Sequence, residues 1–150
     1  MAFVHLHNHT EYSLLDGLTH VKDMVRRAAD LDMPAVAITD HGVMSGVPEL
    51  CDACTAVEKE TGKKVKPIYG CEVYFTTDEE LRKDVKPKLY HLLLLAKTNE
   101  GYHNLLHLVS ESHVDNFYYK PRTTFSMLRK YGHGIIGSSA CIAGIIPKLL

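Results

Sequence analysis

AVAITDHG, residues 35–42, is an apolar run of strand length that ends abruptly in an acid, an imidazole and a glycine. A continuous apolar stretch of this length suits a strand buried on both faces, as parallel sheets require. The polar groups then fall at the strand's C-terminal end, where β/α folds gather their chemistry. Asp40-His41-Gly42 also suits a plain turn, so the neighbouring segments must supply the rest of the argument.

Upstream, FVHLHNH (3–9) alternates with period two and predicts a strand with two unlike faces. Ser13, Asp16 and Gly17 predict a loop, and Thr19 a cap for an amphipathic helix over 20–32, with Val21, Met24, Val25, Ala28 and Leu31 on one face. Downstream, a helix from about Pro48 to Thr61 should stop at Gly62, and Val65–Tyr69 leads through Gly70 into the strand CEVYF. TTDEELRKDVKPKL (76–89) is charge-rich and reads as an exposed excursion. YHLLLLA (90–96) is another buried strand, followed by a helix over about 99–112 capped by Asn99, a short helix from Thr124 to near Gly132, and a last strand at 134–138. This alternation predicts parallel β/α architecture with about five strand-to-helix units. A closed β/α barrel takes roughly 200 residues or more, so the 150-residue chain is expected to be the N-terminal part of one that continues past residue 150.

Composition bounds the function. Lys+Arg number 17 and Asp+Glu 18, a net charge of 17 − 18 = −1, with 45% hydrophobic and 23% charged residues. These values fit a globular domain and exclude a binder that relies on a strongly basic surface overall, while leaving room for a local basic strip. No apolar run approaches the roughly 20 residues of a membrane span, and MAFVHLHNHT lacks the pattern of a secretory signal, so a cytoplasmic protein without membrane contact is expected. Cys51 and Cys54 form a C-x-x-C within a helical pattern; without a second pair they read as packed small side chains rather than a zinc or redox motif. Walker A, G-x-G-x-x-G and G-x-S-x-G patterns are absent, and Ser138 and Ser139 alone make no nucleophile site.

The unusual number is ten histidines. His7 and His9, two apart in a strand, point the same way and can converge on a cation, or can be solvated imidazoles on a polar face. Asp16, His41, Glu72, His91 and Cys141 each lie in or just after a predicted strand. Glu72 stands between apolar segments, where an unpaired carboxylate is costly to bury and a cation would relieve the cost. His91 also suits a satisfied core histidine, and Cys141 a small core residue. As a set, these imidazole, carboxylate and thiol groups suit zinc, manganese or iron more than calcium. Paired divalent ions point to phosphoester hydrolysis. The remaining histidines, including the i,i+4 pair His103 and His107, have no comparable setting. Lys120, Arg122, Arg129 and Lys130 are basic side chains suited to phosphate contacts, with a solvated surface as the alternative.

FVHLHNHTEYSLLDG, AVAITDHGVMSGV, KPIYGCEVYF, YHLLLLAKTNEGYHNLLHLVS, FYYKPR and GSSACIAGIIP, in this order, resemble the successive blocks of the polymerase-and-histidinol-phosphatase (PHP) domain. The form at the N-terminus of bacterial DNA polymerase III alpha subunits is the more similar one. The resemblance implies a distorted seven-stranded β/α barrel with a di- or trinuclear metal centre. It further implies that His7 and His9 hold one ion with Glu72 bridging to another, that Asp16 and His41 serve a second, and that His91, Cys141 and Glu72 serve a third. Two further ligands, an Asp and a His, are implied beyond residue 150. Ile145 departs from the family pattern, where an acid is usual, and the excursion at 76–89 is short. For the whole polypeptide the resemblance implies DNA-directed DNA synthesis, with DNA, the other polymerase domains, a proofreading exonuclease and a sliding clamp as partners. The polymerase carboxylates would lie elsewhere in that polypeptide. For this domain it implies metal-dependent 3′–5′ exonuclease activity, or else a scaffold that docks a proofreading subunit. A histidinol-phosphatase-like phosphoesterase is the third alternative.

Overall fold

The computed structural model describes residues 3–14, 16–81 and 87–149. Among these residues six strands and five helices follow in the order α1 (Val21–Asp30), β1 (Ala35–Ile38), α2 (Val47–Thr61), β2 (Lys66–Phe75), β3 (Tyr90–Ala96), α3 (Asn99–Val114), β4 (Phe117–Tyr118), β5 (Lys120–Thr123), α4 (Phe125–Tyr131), β6 (Ile135–Ser138) and α5 (Ile145–Leu149). No helix among the described residues is long and apolar enough to cross a membrane.

The fold is α/β as expected, but the sheet is mixed rather than parallel. β1 and β5 pair β2 in parallel, while β3 pairs β2, and β6 pairs β3, antiparallel. The physical reason lies in the connections. A parallel return needs a crossover of a dozen or more residues, usually helical. Between β2 and β3 the described residues hold only a 3-10 turn at Asp78–Leu81, and residues 82–86 of the expected excursion lie outside the described set. The chain therefore doubles back beside β2. Among the described residues the sheet stays open, with β4 and β6 at its ends.

β2 organises the molecule. On one edge it pairs β3 from Gly70 to Phe75, and on the other it pairs β1 from Lys66 to Tyr69 and then β5 at Tyr74 and Phe75. Between these last two partners, a bridge from His41 to Glu72 continues the β1 side. Period two then sorts the side chains. Val36, Ile38, Cys71, Val73 and Leu94 join Val21 and Val25 of α1, Leu50 and Val57 of α2, and Leu105 and Leu108 of α3 in the main core. On the other face Ala37, Leu93 and Leu95 pack with Ile68. Continuing along that second face, the same rows carry Glu72 and Tyr74 on β2 and His91 on β3.

The N-terminal segment differs from expectation in an informative way. Residues 3–10 form no regular strand, yet they run beside β1 through bonds from Ala37 N to His5 O (3.1 Å) and from Thr39 N to Asn8 O (3.0 Å). Three residues on one side match two on the other, the offset of a β-bulge. The Asn8 amide stitches the bulge by donating to His5 O (3.2 Å) and Ala37 O (3.0 Å), and the Thr39 hydroxyl donates to Asn8 O (2.9 Å). The bulge breaks the alternation, so His5 leaves the face shared by His7 and His9 and lines a cleft with Met24 and Arg27 of α1.

Two caps shift by one residue. His20 rather than Thr19 precedes α1 and makes no side-chain cap, and Thr98 rather than Asn99 caps α3 by accepting from Gly101 N at 3.0 Å. Gly62 ends α2 in the left-handed conformation, and Thr124 caps α4 by accepting from Met127 N, both as expected.

Candidate metal centre

Glu72 is 1% exposed, and its carboxylate is the hub of the site. His7 Nε2 and His9 Nε2 each lie 2.9 Å from Oε2. His91 Nδ1 lies 3.0 Å from Oε1, and Cys141 Sγ lies 3.7 Å from the same oxygen and 3.5 Å from His91 Nδ1. His41 Nε2 meets Asp16 Oδ2 at 2.8 Å at the more exposed end of the cluster. The structure thus brings together all seven side chains singled out in the sequence. Three overlapping triads have donor atoms close enough to share an ion: His7, His9 and Glu72; His9, Asp16 and His41; and His41, Glu72 and His91.

The donors arrive on strands or on the loops beside them: Glu72 lies within β2 and His91 near the start of β3. His41 follows β1, and Gly42 after it adopts φ +66°, a conformation that favours glycine. A β-carbon there would also stand 2.8 Å from Pro121 and 3.3 Å from Tyr74. The Cys141 loop is docked by the bond from His91 N to Ala143 O (3.0 Å).

The electrostatics fit a cation. Burial alone would raise the Glu72 carboxyl, but hydrogen bonds from His9 and His7 and the charges of His7 and His41 outweigh it and bring the pKa down to about 2. The hydrogen bond to Glu72 raises His9, whereas burial lowers His91. His9 and His41 stack with centroids 4.2 Å apart. Imidazoles packed this closely cannot all be protonated without strong repulsion. His41 Nδ1, 3.4 Å from Glu72 Oε2, is buried with no hydrogen-bond partner among the described residues. An orphaned ring nitrogen beside a buried carboxylate is what a divalent ion between them would satisfy.

Several supporting residues escaped the sequence reading. Asp40, 1% exposed, accepts from Thr10 N (2.6 Å), Thr10 Oγ1 (2.9 Å) and Ser13 Oγ (3.0 Å). Ser13 Oγ in turn accepts from His41 N (3.0 Å) and faces His9 Nδ1 at 3.3 Å, leaving His9 Nε2 toward Glu72. This is the outer-shell orientation that metal-binding histidines need. His113 on α3 reaches Gly42 O at 2.7 Å and holds the turn after His41. Tyr74 stacks on His41 at 5.7 Å and meets His91 edge-on at 5.5 Å. Its signal was available in principle, since it stands two residues from Glu72 in one strand.

The four basic candidates separate. Arg122 is 1% exposed, and its guanidinium donates to the carbonyls of Asn116 (2.8 Å), Glu80 (3.1 Å) and Leu81 (3.1 Å), so it is a structural clamp rather than a phosphate contact. Arg129 and Lys130 are exposed on α4, where Lys130 pairs with Glu111 at 2.8 Å. Lys120 lines a cleft with Asp16 and His41. The C-x-x-C behaves as packing: Cys51 Sγ meets the Tyr69 hydroxyl at 3.0 Å, and burial pushes the Cys54 thiol up to about 11.

Comparison with known proteins extends this picture. The PHP domain family model matches residues 5–150. The chain is 45% identical over 143 residues to DNA polymerase III subunit alpha of Helicobacter pylori, covering 95% of this chain and 11% of that protein. It is 43% identical over 151 residues to DNA polymerase III subunit alpha of Borreliella burgdorferi, covering 99% of this chain and 13% of that protein. The chain thus spans only a small part of the length of these relatives. Among solved structures, an amidohydrolase from Chromobacterium violaceum with bound sulfate and no metal aligns with TM-score 0.50 and 20% identity, over 73% of this chain and 33% of that one, a likeness of fold.

Proposed function

Because this chain belongs to the PHP domain family, we propose that its histidine-rich cluster binds two or three divalent ions and hydrolyses phosphodiesters at a DNA 3′ end. The observation that carries this reading is the buried Glu72 carboxylate facing His7, His9, His41 and His91, with His41 Nδ1 left unpartnered among the described residues. His7, His9, Asp16, His41, Glu72, His91 and Cys141 would hold the ions, and imidazole, carboxylate and thiol donors suit zinc, manganese or iron. Such ions supply Lewis-acid charge to a phosphoryl oxygen and make water a nucleophile at neutral pH.

The protein's own groups prepare that chemistry. Glu72, with its pKa near 2, stays anionic across the physiological range and offers one oxygen to His7 and His9 and the other to His91. Asp40, through Ser13, holds the His9 ring and the His41 backbone. Asp16, half exposed, stands at the solvent side, where substrate would enter.

The similarity to DNA polymerase III alpha subunits supports placing this chain as the N-terminal part of such a subunit, within a seven-stranded barrel whose remaining strands and two ligands follow residue 150. DNA synthesis then belongs to the rest of that chain. DNA, the polymerase domains, a proofreading exonuclease and a sliding clamp are the partners this implies, in the cytoplasm. Arg129 and Lys130 remain candidate DNA contacts; Arg122 does not. The test is 3′–5′ degradation of an oligonucleotide by the full-length chain with Mn²⁺ or Zn²⁺. The activity should vanish in a His7→Ala/His9→Ala variant, and undiminished activity overturns the proposal. Metal that raises the melting temperature without any hydrolysis would instead make the domain a structural module.

A further inference from the structure

A cleft of about 220 Å³ opens beside the cluster, lined by Asp16 and His41 together with Tyr12, Val43, Tyr74 and Lys120. It shares Asp16 and His41 with the triads of donor atoms, so a molecule engaged at the cluster extends directly into it. Its volume equals about seven waters at ~30 Å³ each, enough for one sugar-phosphate unit.

Within this cleft the Lys120 ammonium lies 5.0 Å from the centroid of the Tyr74 ring. A ring face attracts the charge of an ammonium without supplying a hydrogen-bond acceptor comparable to an oxygen, and leaves N–H donors for an anion. The platform is fixed. Tyr74 is in register with His91 of β3 on one edge and Arg122 of β5 on the other, and its ring stacks on His41. Lys120 opens β5, and the buried Arg122 clamp two residues later anchors that strand. The position of the ammonium is therefore tied through Tyr74 to two of the clustered imidazoles.

We propose that Lys120, seated on Tyr74, holds a second phosphate of the substrate, the one next to the phosphodiester engaged at the cluster. The substrate class is then an oligonucleotide with at least two successive internucleotide phosphates, and simple phosphate esters lack the contact. This deepens the function proposed above and rests on it.

Two readouts test it in the full-length chain loaded with Mn²⁺. The first is protection of Lys120 from amine acylation, read by mass spectrometry, with the exposed Lys59 as internal control. The probes are a thymidine tetranucleotide and its analogue carrying an uncharged methylphosphonate only at the linkage next to the 3′-terminal one. The ordinary tetranucleotide should slow acylation of Lys120 about tenfold more than the analogue, on the scale of one charged hydrogen bond; equal protection by both overturns the proposal. The second is the ratio of kcat/KM for the tetranucleotide to that for the p-nitrophenyl ester of thymidine monophosphate. It should fall about tenfold in Lys120→Met and recover in Lys120→Arg, and a ratio unchanged in Lys120→Met overturns the proposal. If no substrate is hydrolysed, the catalytic reading fails while the protection experiment still decides the subsite.

Discussion

His9 Nε2 stands 2.9 Å from Oε2 of Glu72, the same oxygen that His7 Nε2 meets at 2.9 Å. One anionic oxygen thus gathers two imidazoles. Replacing it with the neutral amide of Glu72→Gln should remove at least one bound ion per chain and weaken Mn²⁺ binding by more than about tenfold, the lower range seen for outer-shell changes. Metal content after dialysis, measured by elemental analysis, checks this; full occupancy in the variant would contradict it.

Metal binding should strengthen as pH rises through neutrality. The raised pKa of His9, due first to its hydrogen bond with Glu72, means that the metal-free protein gains stability from a protonated His9 below pH 6.5 and loses it as pH rises through the elevated value. His91, lowered by burial, runs oppositely: its contribution is present above pH 6.5 and is lost as pH falls. An ion must therefore compete with the proton more strongly at His9 than at His91. The melting-temperature gap between Mn²⁺-loaded and chelated protein should therefore widen from pH 6 to pH 8, measured by calorimetry. A gap independent of pH would contradict proton displacement.

Asp40→Asn should destabilise the protein by about 1.5–3 kcal/mol, the range for a lost hydrogen bond to a charged group. The amide can no longer accept from Thr10 N, Thr10 Oγ1 and Ser13 Oγ with the strength of a carboxylate. Because Ser13 also touches His9 and His41, metal affinity should fall with stability. Urea denaturation and Mn²⁺ titration of the same variant read the two effects. A loss of stability with unchanged affinity would confine Asp40 to packing.

Arg122→Lys should cost about 2 kcal/mol or more in stability, since an ammonium cannot span the three carbonyls that the guanidinium reaches. Because the clamp anchors the strand that carries Lys120, oligonucleotide affinity at a fixed fraction folded should fall no further than in Lys120→Met. A larger selective loss of nucleic-acid binding would return Arg122 to the surface role suggested by its sequence.

The donor set was legible because chemistry and position coincided: His41 ends an apolar run, Glu72 interrupts one and His91 opens one. The sheet's direction was less legible. The charge-rich segment after Phe75 carries no apolar helical period, so it contained the warning that β3 returns antiparallel beside β2. FVHLHNH shows true alternation, but the bulge depends on Asn8 bonding across to β1, a contact no local pattern reports. The caps moved by one residue where adjacent side chains compete, as with Thr98 and Asn99. Arg122 shows the limit of reading charge alone. KPR looks like a basic surface motif, and only the fold reveals the carbonyls that enclose its guanidinium.

The cluster also bears on how the molecule reaches and leaves its native state. His7 is separated by 65 residues from Glu72, and Cys141 by 69 from the same carboxylate. Contacts of such long span close late, because the chain entropy of bringing the ends together must first be offset by nearer pairings such as β2 with β3. An ion seated there would touch interactions largely missing from the folding transition state. Its effect would then fall on the rate of unfolding, and the centre would act as a kinetic clasp that closes after the strands are paired and must open before they part.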